Sequence, residues 1–223
     1  MKIFSSDEIN AIRQYTLREQ GITMRQFIDV VGEALAIEII TSLIPGHRLV
    51  VFAGPDLNGA YALSVSRYLA LQGYRPSVYL FNIGGNRATA DCAAVRDRLR
   101  EECSDIDFME VTGLQFSMPD LQGDVTVIDG LFGSERTAPL SGGYQSIVRY
   151  INEMAPRIVS LDVPSGLLVD SVDGLINRNI IHATLTLAIG VPRVVFFMKE
   201  NAELLGNWKI VPVDFSQAAI ERA

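Results

Sequence analysis

Arg157-Ile158-Val159-Ser160-Leu161-Asp162-Val163-Pro164-Ser165-Gly166 is the stretch that decides the fold. It opens as a short apolar run, the pattern of a buried strand. A carboxylate, a rigid proline, a hydroxyl and a glycine follow at once, where that strand must end. In open α/β sheets ligands bind at the carboxyl edge of the strands, so an acid set there meets a substrate more readily than it decorates a surface.

The same pattern extends both ways. Strands are predicted over 48–53, 76–81, 108–111, 125–129, 157–161, 183–189 and 208–211. Helices are predicted between them over 60–72, 89–103 and 144–154. Two helices come first. Ser5-x-x-Glu8 and Thr23-x-x-Gln26 are capping boxes, starting helices over 6–20 and from 23 to 43. Phe27, Ile28, Val30, Val31, Ala34, Leu35, Ile37 and Ile39 leave the second helix little polar face, so it is expected to be buried on several sides. Strands alternating with helices require right-handed crossovers and a mostly parallel sheet with helices on both faces. The fold class is therefore α/β, a three-layer α/β/α sandwich preceded by two N-terminal helices. No repeat or low-complexity segment divides the chain, and residues 1–223 read as one domain.

Composition narrows the function classes. The net charge is −7 and no Lys/Arg block is present, which argues against nucleic-acid binding. No apolar run is long enough to span a bilayer. Met1-Lys2-Ile3-Phe4-Ser5-Ser6-Asp7-Glu8 lacks the apolar stretch of a secretory leader, so a cytoplasmic location is expected. Two cysteines and two histidines are too few for a zinc site of ordinary spacing. Cys92 and Cys103 fall in register with Ala88, Val95 and Leu99, which makes them small buried hydrophobes rather than a redox pair.

Three strand ends carry polar chemistry. Gly54-Pro55-Asp56-Leu57-Asn58-Gly59 is a glycine-containing turn before a helix, either a phosphate cradle or an ordinary βα turn. Val127-Ile128-Asp129-Gly130-Leu131-Phe132-Gly133 ends a strand on an acid. Asp129 either caps its own turn or ligates a cation or a ligand hydroxyl. The third end carries Asp162 and Ser165. Asp129 and Asp162 leave equivalent strand ends and are expected to share a cleft, where a cation or one proton would relieve their repulsion. Ser165 and Asn58 are oxygen ligands suited to a hard cation.

Taken together, these blocks resemble the NAD(P)H-hydrate epimerase family, the YjeF amino-terminal domain. Phe27-Ile28-Asp29-Val30-Val31-Gly32 stands where the family has Met-Glu-x-Ala-Gly. Val127 to Gly133 is similar to its Val-Asp-Ala-Leu-Phe-Gly block, and Pro139-Leu140-Ser141-Gly142 to a Pro-Leu-Ser-Gly block. Leu161 to Gly166 is similar to Leu-Asp-Ile-Pro-Ser-Gly, and Thr186 to Arg193 stands in for Thr-Phe-Gly-Ala-Pro-Lys. Glu203-Leu204-Leu205-Gly206 and Val211-Pro212-Val213-Asp214 fit the closing strand region.

The resemblance implies a Rossmann-like fold, a homodimer, and interconversion of the R and S forms of hydrated NADH or NADPH at carbon 6 of the nicotinamide ring. It also implies a bound potassium ion and a partner or fused ADP/ATP-dependent dehydratase that consumes one epimer. Carried over by motif, the potassium ligands are Asn58, Asp129 and Ser165. Substrate contacts come from Leu57, Asn58, Gly59, Ala60 and Tyr61, from Gly133, Ser134, Glu135, Arg136, Thr137, Ala138 and Pro139, and from Asp162. The family's first loop reads Asn-Asn-Gly-Gly-Asp-Gly, whereas Leu57-Asn58-Gly59-Ala60-Tyr61-Ala62 keeps only the second Asn and the first Gly. Ala60 and Ala62 add β-carbons where a phosphate needs close backbone approach.

The hydrate is a hemiaminal. Loss of its hydroxyl gives an iminium-like cation, and water can return to either face. Asp162 is the candidate catalytic residue, protonating the departing hydroxyl and guiding the returning water. The altered loop suits an alternative of another class, a catalytically degraded nucleotide- or small-ligand-binding or scaffold module of the same fold. A serine hydrolase built from Ser165, Asp162 and His182 is disfavoured, because no Gly-x-Ser-x-Gly elbow is present. Arg193, at the family's lysine position, either pairs with a surface acid or meets a ligand phosphate. Phe215 to Ile220 reads as the start of a linker.

Overall fold

Seven strands, all parallel, form one sheet in the order β3-β2-β1-β4-β5-β6-β7. They are β1 (Arg48–Ala53), β2 (Ser77–Phe81), β3 (Asp107–Val111), β4 (Val125–Gly130), β5 (Ile158–Leu161), β6 (Leu185–Ile189) and β7 (Asn207–Val211). The computed structural model describes residues 2–83, 87–113, 115–170 and 179–222. The order reverses at β1, which pairs with β2 on one side and β4 on the other. The loops that follow β1 and β4 therefore diverge and leave a crevice at their carboxyl ends.

Both sheet faces are covered. Leu49, Val51 and Ala53 of β1 point to one face, where they join the buried sides of α1 (Ser6–Gln20), α2 (Met24–Ser42), α3 (Leu57–Leu71) and α4 (Ala90–Glu102) in one core. Val50 and Phe52 point to the other face and pack with Ile147, Val148 and Ile151 of α5 (Gly143–Met154). This alternation is the period-two pattern of a strand buried on both faces. A third cluster joins Ala188 of β6 to Phe196 and to Leu205 of α6 (Ala202–Leu205). Trp208, on edge strand β7, stacks on Phe196 with ring centroids 5.1 Å apart.

Both predicted capping boxes are present, Ser5 with Glu8 and Thr23 with Gln26. Cys92 and Cys103 are free and buried, and burial pushes the Cys92 thiol up to about 12. Three expectations are corrected. Helix α3 begins at Leu57, not residue 60, so Leu57, Asn58 and Gly59 belong to its first turn rather than to the turn before it. On α2, Val30 and Ile37 are exposed, so this helix keeps one open face seven residues in period. Residues 217–220 lie in a short helix, α7 (Gln217–Arg222), packed against α1 rather than starting a linker.

Candidate active site

Asp162 is the first residue after β5. Its φ of 66° is the only positive value outside glycine among the described residues. The Val163 amide donates to the Leu161 carbonyl at 2.8 Å, closing a three-residue turn around it. Such backbone costs about 1–3 kcal/mol and persists where the surroundings over-determine it, which is characteristic of functional sites. Here they do. The Asp162 amide donates to the Leu187 carbonyl at 2.9 Å. Its Oδ2 accepts from the Ser134 amide at 2.8 Å, and its Oδ1 lies 2.5 Å from Arg193 Nη2. The Oδ1 contact is an ion pair whose angle falls short of a hydrogen bond.

Asp129 sits one layer deeper, fully buried at the end of β4. Its Oδ2 accepts from Ser160 Oγ at 2.8 Å and from the Ser165 amide at 2.9 Å. Its Oδ1 accepts from Ser165 Oγ at 2.5 Å and from the Leu131 amide at 3.3 Å. Burial pushes this carboxyl up, against the pull of those four donors. Ser165 Oγ in turn accepts from the Phe132 amide at 2.9 Å. The hydroxyl is thereby committed to the acid beneath it. No hydrogen bond among the described residues joins it to His182, which is exposed, so the hydrolase arrangement does not form.

Asn58 lies in the first turn of α3. Its Nδ2 donates to the Leu161 carbonyl at 3.3 Å, while its buried Oδ1 has no partner. The turn packs tightly: a β-carbon added at Gly59 would fall 1.7 Å from the Gly54 carbonyl oxygen. One added at Gly133 would meet Asp162 Oδ2 at 2.9 Å and the Asn58 side chain at 3.2 Å, which puts all three residues in one place.

Above these residues is a hollow lined by Arg13, Asp56, Asn58, Tyr61, Asp162 and Arg193, with Leu57, Gly133, Ser134 and Glu135 also on its wall. Its volume is about 30 Å³, far below the roughly 300 Å³ at which small-molecule sites begin. Asp129 and Ser165 lie beneath this wall and do not line it. Ala60 is buried in the core, and residues 137–139 are exposed and off the wall. Arg136 lies over the Phe132 ring, 4.4 Å from its centroid.

Three charged residues of this mouth escaped the sequence reading or were placed differently by it. Arg193 is buried, and its partner is Asp162 rather than a surface acid. Arg13 reaches in from α1 and pairs closely with Glu135. Burial works against its charge, but Tyr61, Glu135 and Asp162 outweigh it and hold the guanidinium above its ordinary value. A signal was present: Arg13 shares the buried stripe of Ile9, Ile12 and Thr16, where a charge is out of place. Asp56 precedes α3 with a buried Oδ1 that has no partner. Burial pushes its carboxyl up to about 6, although the amides of Asn58 and Gly59 pull it down.

The family model described as YjeF-related protein N-terminus matches residues 25–195. An NAD(P)H-hydrate epimerase of Leuconostoc kimchii is 25% identical over 93% of this chain and 87% of its own length. One of Dehalogenimonas lykanthroporepellens is 28% identical over 94% of this chain and 83% of its own. A bifunctional NAD(P)H-hydrate repair enzyme of Thermofilum pendens is 24% identical over 99% of this chain, which spans only 42% of that relative's length. The crystal structure of yeast ynu0 shares the fold with a TM-score of 0.73 at 20% identity, covering 98% of this chain and 93% of the yeast chain.

Proposed function

The chain belongs to the family of the YjeF-related protein N-terminus, and on that premise we propose that it is an NAD(P)H-hydrate epimerase, interconverting the R and S hydrates at carbon 6 of the nicotinamide ring. The observation that carries this reading is Asp162: a buried acid in strained backbone, aimed into a polar hollow at the switch point of the sheet.

In this mechanism Asp162 gives a proton to the hydroxyl leaving carbon 6, and the ring nitrogen's electron pair stabilises the cation that forms. The carboxylate so produced then takes a proton from the water that returns to either face. Arg193 and the Ser134 amide hold the carboxyl in place, leaving it no rotational search at the moment of transfer. The test is to supply one separated epimer of hydrated NADH and follow the other by chromatography. Equilibration faster than the spontaneous rate supports the reading; an unchanged rate at high protein concentration rejects it.

Asn58, Asp129 and Ser165 would hold a potassium ion, Asp129 and Ser165 only by giving up the hydrogen bonds that now join them. The partnerless Asn58 Oδ1 and a donor set made only of oxygens suit an alkali cation. The ion would supply fixed positive charge beneath the mouth. A homodimer is part of the proposal, with Val30 and Ile37 on the open face of α2 as the surface a second copy covers. So are a cytoplasmic location and a dehydratase, separate or fused, that consumes one epimer. No helix among the described residues is long and apolar enough to cross a membrane.

One observation favours a second reading, a binding module without turnover. Asp56 and Tyr61 stand at the helix start, where a phosphate cradle needs bare backbone, and the hollow is only about 30 Å³. Thermal stabilisation by hydrated NADH without equilibration of its epimers would establish that reading instead.

A further inference from the structure

Three guanidinium N–H positions at this mouth have no acceptor: Arg13 Nε, Arg193 Nε and Arg193 Nη1. Both residues line the hollow, and both are more than nine-tenths buried, with 8% and 3% of their surface exposed. Buried donors left unpaired are costly, and arginine's planar fork is shaped to grip an oxyanion at two points. Helix α3 is ill suited to that purpose at its own start, because its N-cap residue, Asp56, sets an acid beside the amides of Asn58 and Gly59. Arg13 has one acid partner, Glu135, whose side chain is half exposed on the loop after β4. A carboxylate of that kind, on a loop and open to water, is positioned as a stand-in for a ligand's own acidic group.

We propose that Arg13 and Arg193 bind an oxyanion of the ligand, and that Glu135 occupies Arg13 until the ligand displaces it. Naming that oxyanion as a phosphoryl group of the nucleotide rests on the epimerase reading; the arginine site itself does not. Displacement also enlarges the hollow, since Glu135 is part of its wall. In this protein, anion recognition thus passes from the backbone of a glycine-rich turn to two buried side chains, one of them on α1.

The experiment is titration calorimetry of the full chain with ADP-ribose and with inorganic pyrophosphate, using adenosine as the uncharged control. Glu135→Gln should bind both anions more tightly, by about two- to fivefold, because it removes a competing half-exposed ion pair. Arg13→Gln should weaken both by about tenfold or more, the loss of a charged hydrogen bond. Adenosine binding should change in neither variant. The inference is overturned if folded Arg13→Gln matches the parent, if Glu135→Gln binds no better than the parent, or if neither parent nor Glu135→Gln binds either anion. Should Arg13→Gln fail to fold, the Glu135→Gln result alone decides. Epimer equilibration is measured separately on the parent protein. Anion binding that follows this pattern without equilibration retires the epimerase reading and leaves the arginine site standing; equilibration with no dependence of KM on Arg13 does the reverse.

Discussion

Arg193 Nη2 stands 2.5 Å from Asp162 Oδ1, and the two side chains come from the loops that follow neighbouring strands, β6 and β5. Only one edge of the guanidinium meets the acid. A buried arginine that meets its partner along one edge fixes the direction of the carboxylate, and the rest of its fork is left without a partner.

Asp162→Asn should therefore stop the chemistry while keeping the turn, since Asn tolerates a left-handed backbone better than most residues. We expect kcat for epimer equilibration to fall about 10²- to 10⁴-fold, the usual contribution of a positioned acid–base group. Urea titration should show a folded protein with a loss of about 1–3 kcal/mol from the weakened contact with Arg193. A folded variant that retains parental kcat would remove Asp162 from the mechanism.

Potassium should raise the melting temperature above that in an equal concentration of N-methylglucamine chloride, because a ligand bound only by the folded state stabilises by mass action. Asn58→Leu should abolish the difference, as it removes the partnerless Oδ1. Equal melting curves in the two salts for the parent protein would dispose of the cation.

Asp56 gives a pH signature of definite sign. Its carboxyl sits at about 6 in the folded protein, against an ordinary 3.8. The folded state thus binds more protons than the unfolded state between these values, and stability through this group falls as pH rises from about 4 to 7. Asp56→Asn should flatten that slope and gain up to about 3 kcal/mol at pH 7, following the 1.4 kcal/mol per pH unit of a shifted group. The check is a series of urea titrations across that range. An identical slope in the variant would mean that the carboxyl does not titrate there.

Ser165→Ala leaves Asp129 with one donor fewer and the Phe132 amide without its acceptor, both in the core. The expected loss is about 1–3 kcal/mol by chemical denaturation, since unpaired buried polar groups carry that penalty. Loss of stability within a few tenths of zero would show that water or a neighbouring group takes over.

Much of this arrangement was legible in the chain, because its strands are continuous runs such as Leu49-Val50-Val51-Phe52, which only a doubly covered sheet buries. The acids at the ends of β4 and β5 were equally legible, as each follows such a run directly. The start of α3 was not. Asn58 and Gly59 look like turn residues, and tertiary packing of Gly59 against Gly54 overrides that local preference. Nor could Val30 and Ile37 be told from Ile28 and Val31, since hydrophobicity marks a face without saying how much of it finds a cover. Arg13 betrayed itself only as a charge in the stripe of Ile9, Ile12 and Thr16, and what it pairs with was hidden for another reason. Its partner, Glu135, lies 122 positions away, and no local pattern carries that distance.

Helix α1 is fastened across the mouth at several points: Phe4 bridges to Arg193, Ser6 Oγ donates to the Ser134 carbonyl at 2.8 Å, and Arg13 meets Glu135. Translation delivers these residues in the opposite order of need. The helix emerges from the ribosome well before its partners and waits, since Ser134 and Glu135 are made more than a hundred codons later. Contacts so far apart in sequence form late in folding. A nascent chain can thus assemble β1 to β3 and their covering helices early, yet the walls of the mouth stay apart until Arg193, beyond β6, has been synthesised and has closed against the segment around Phe4.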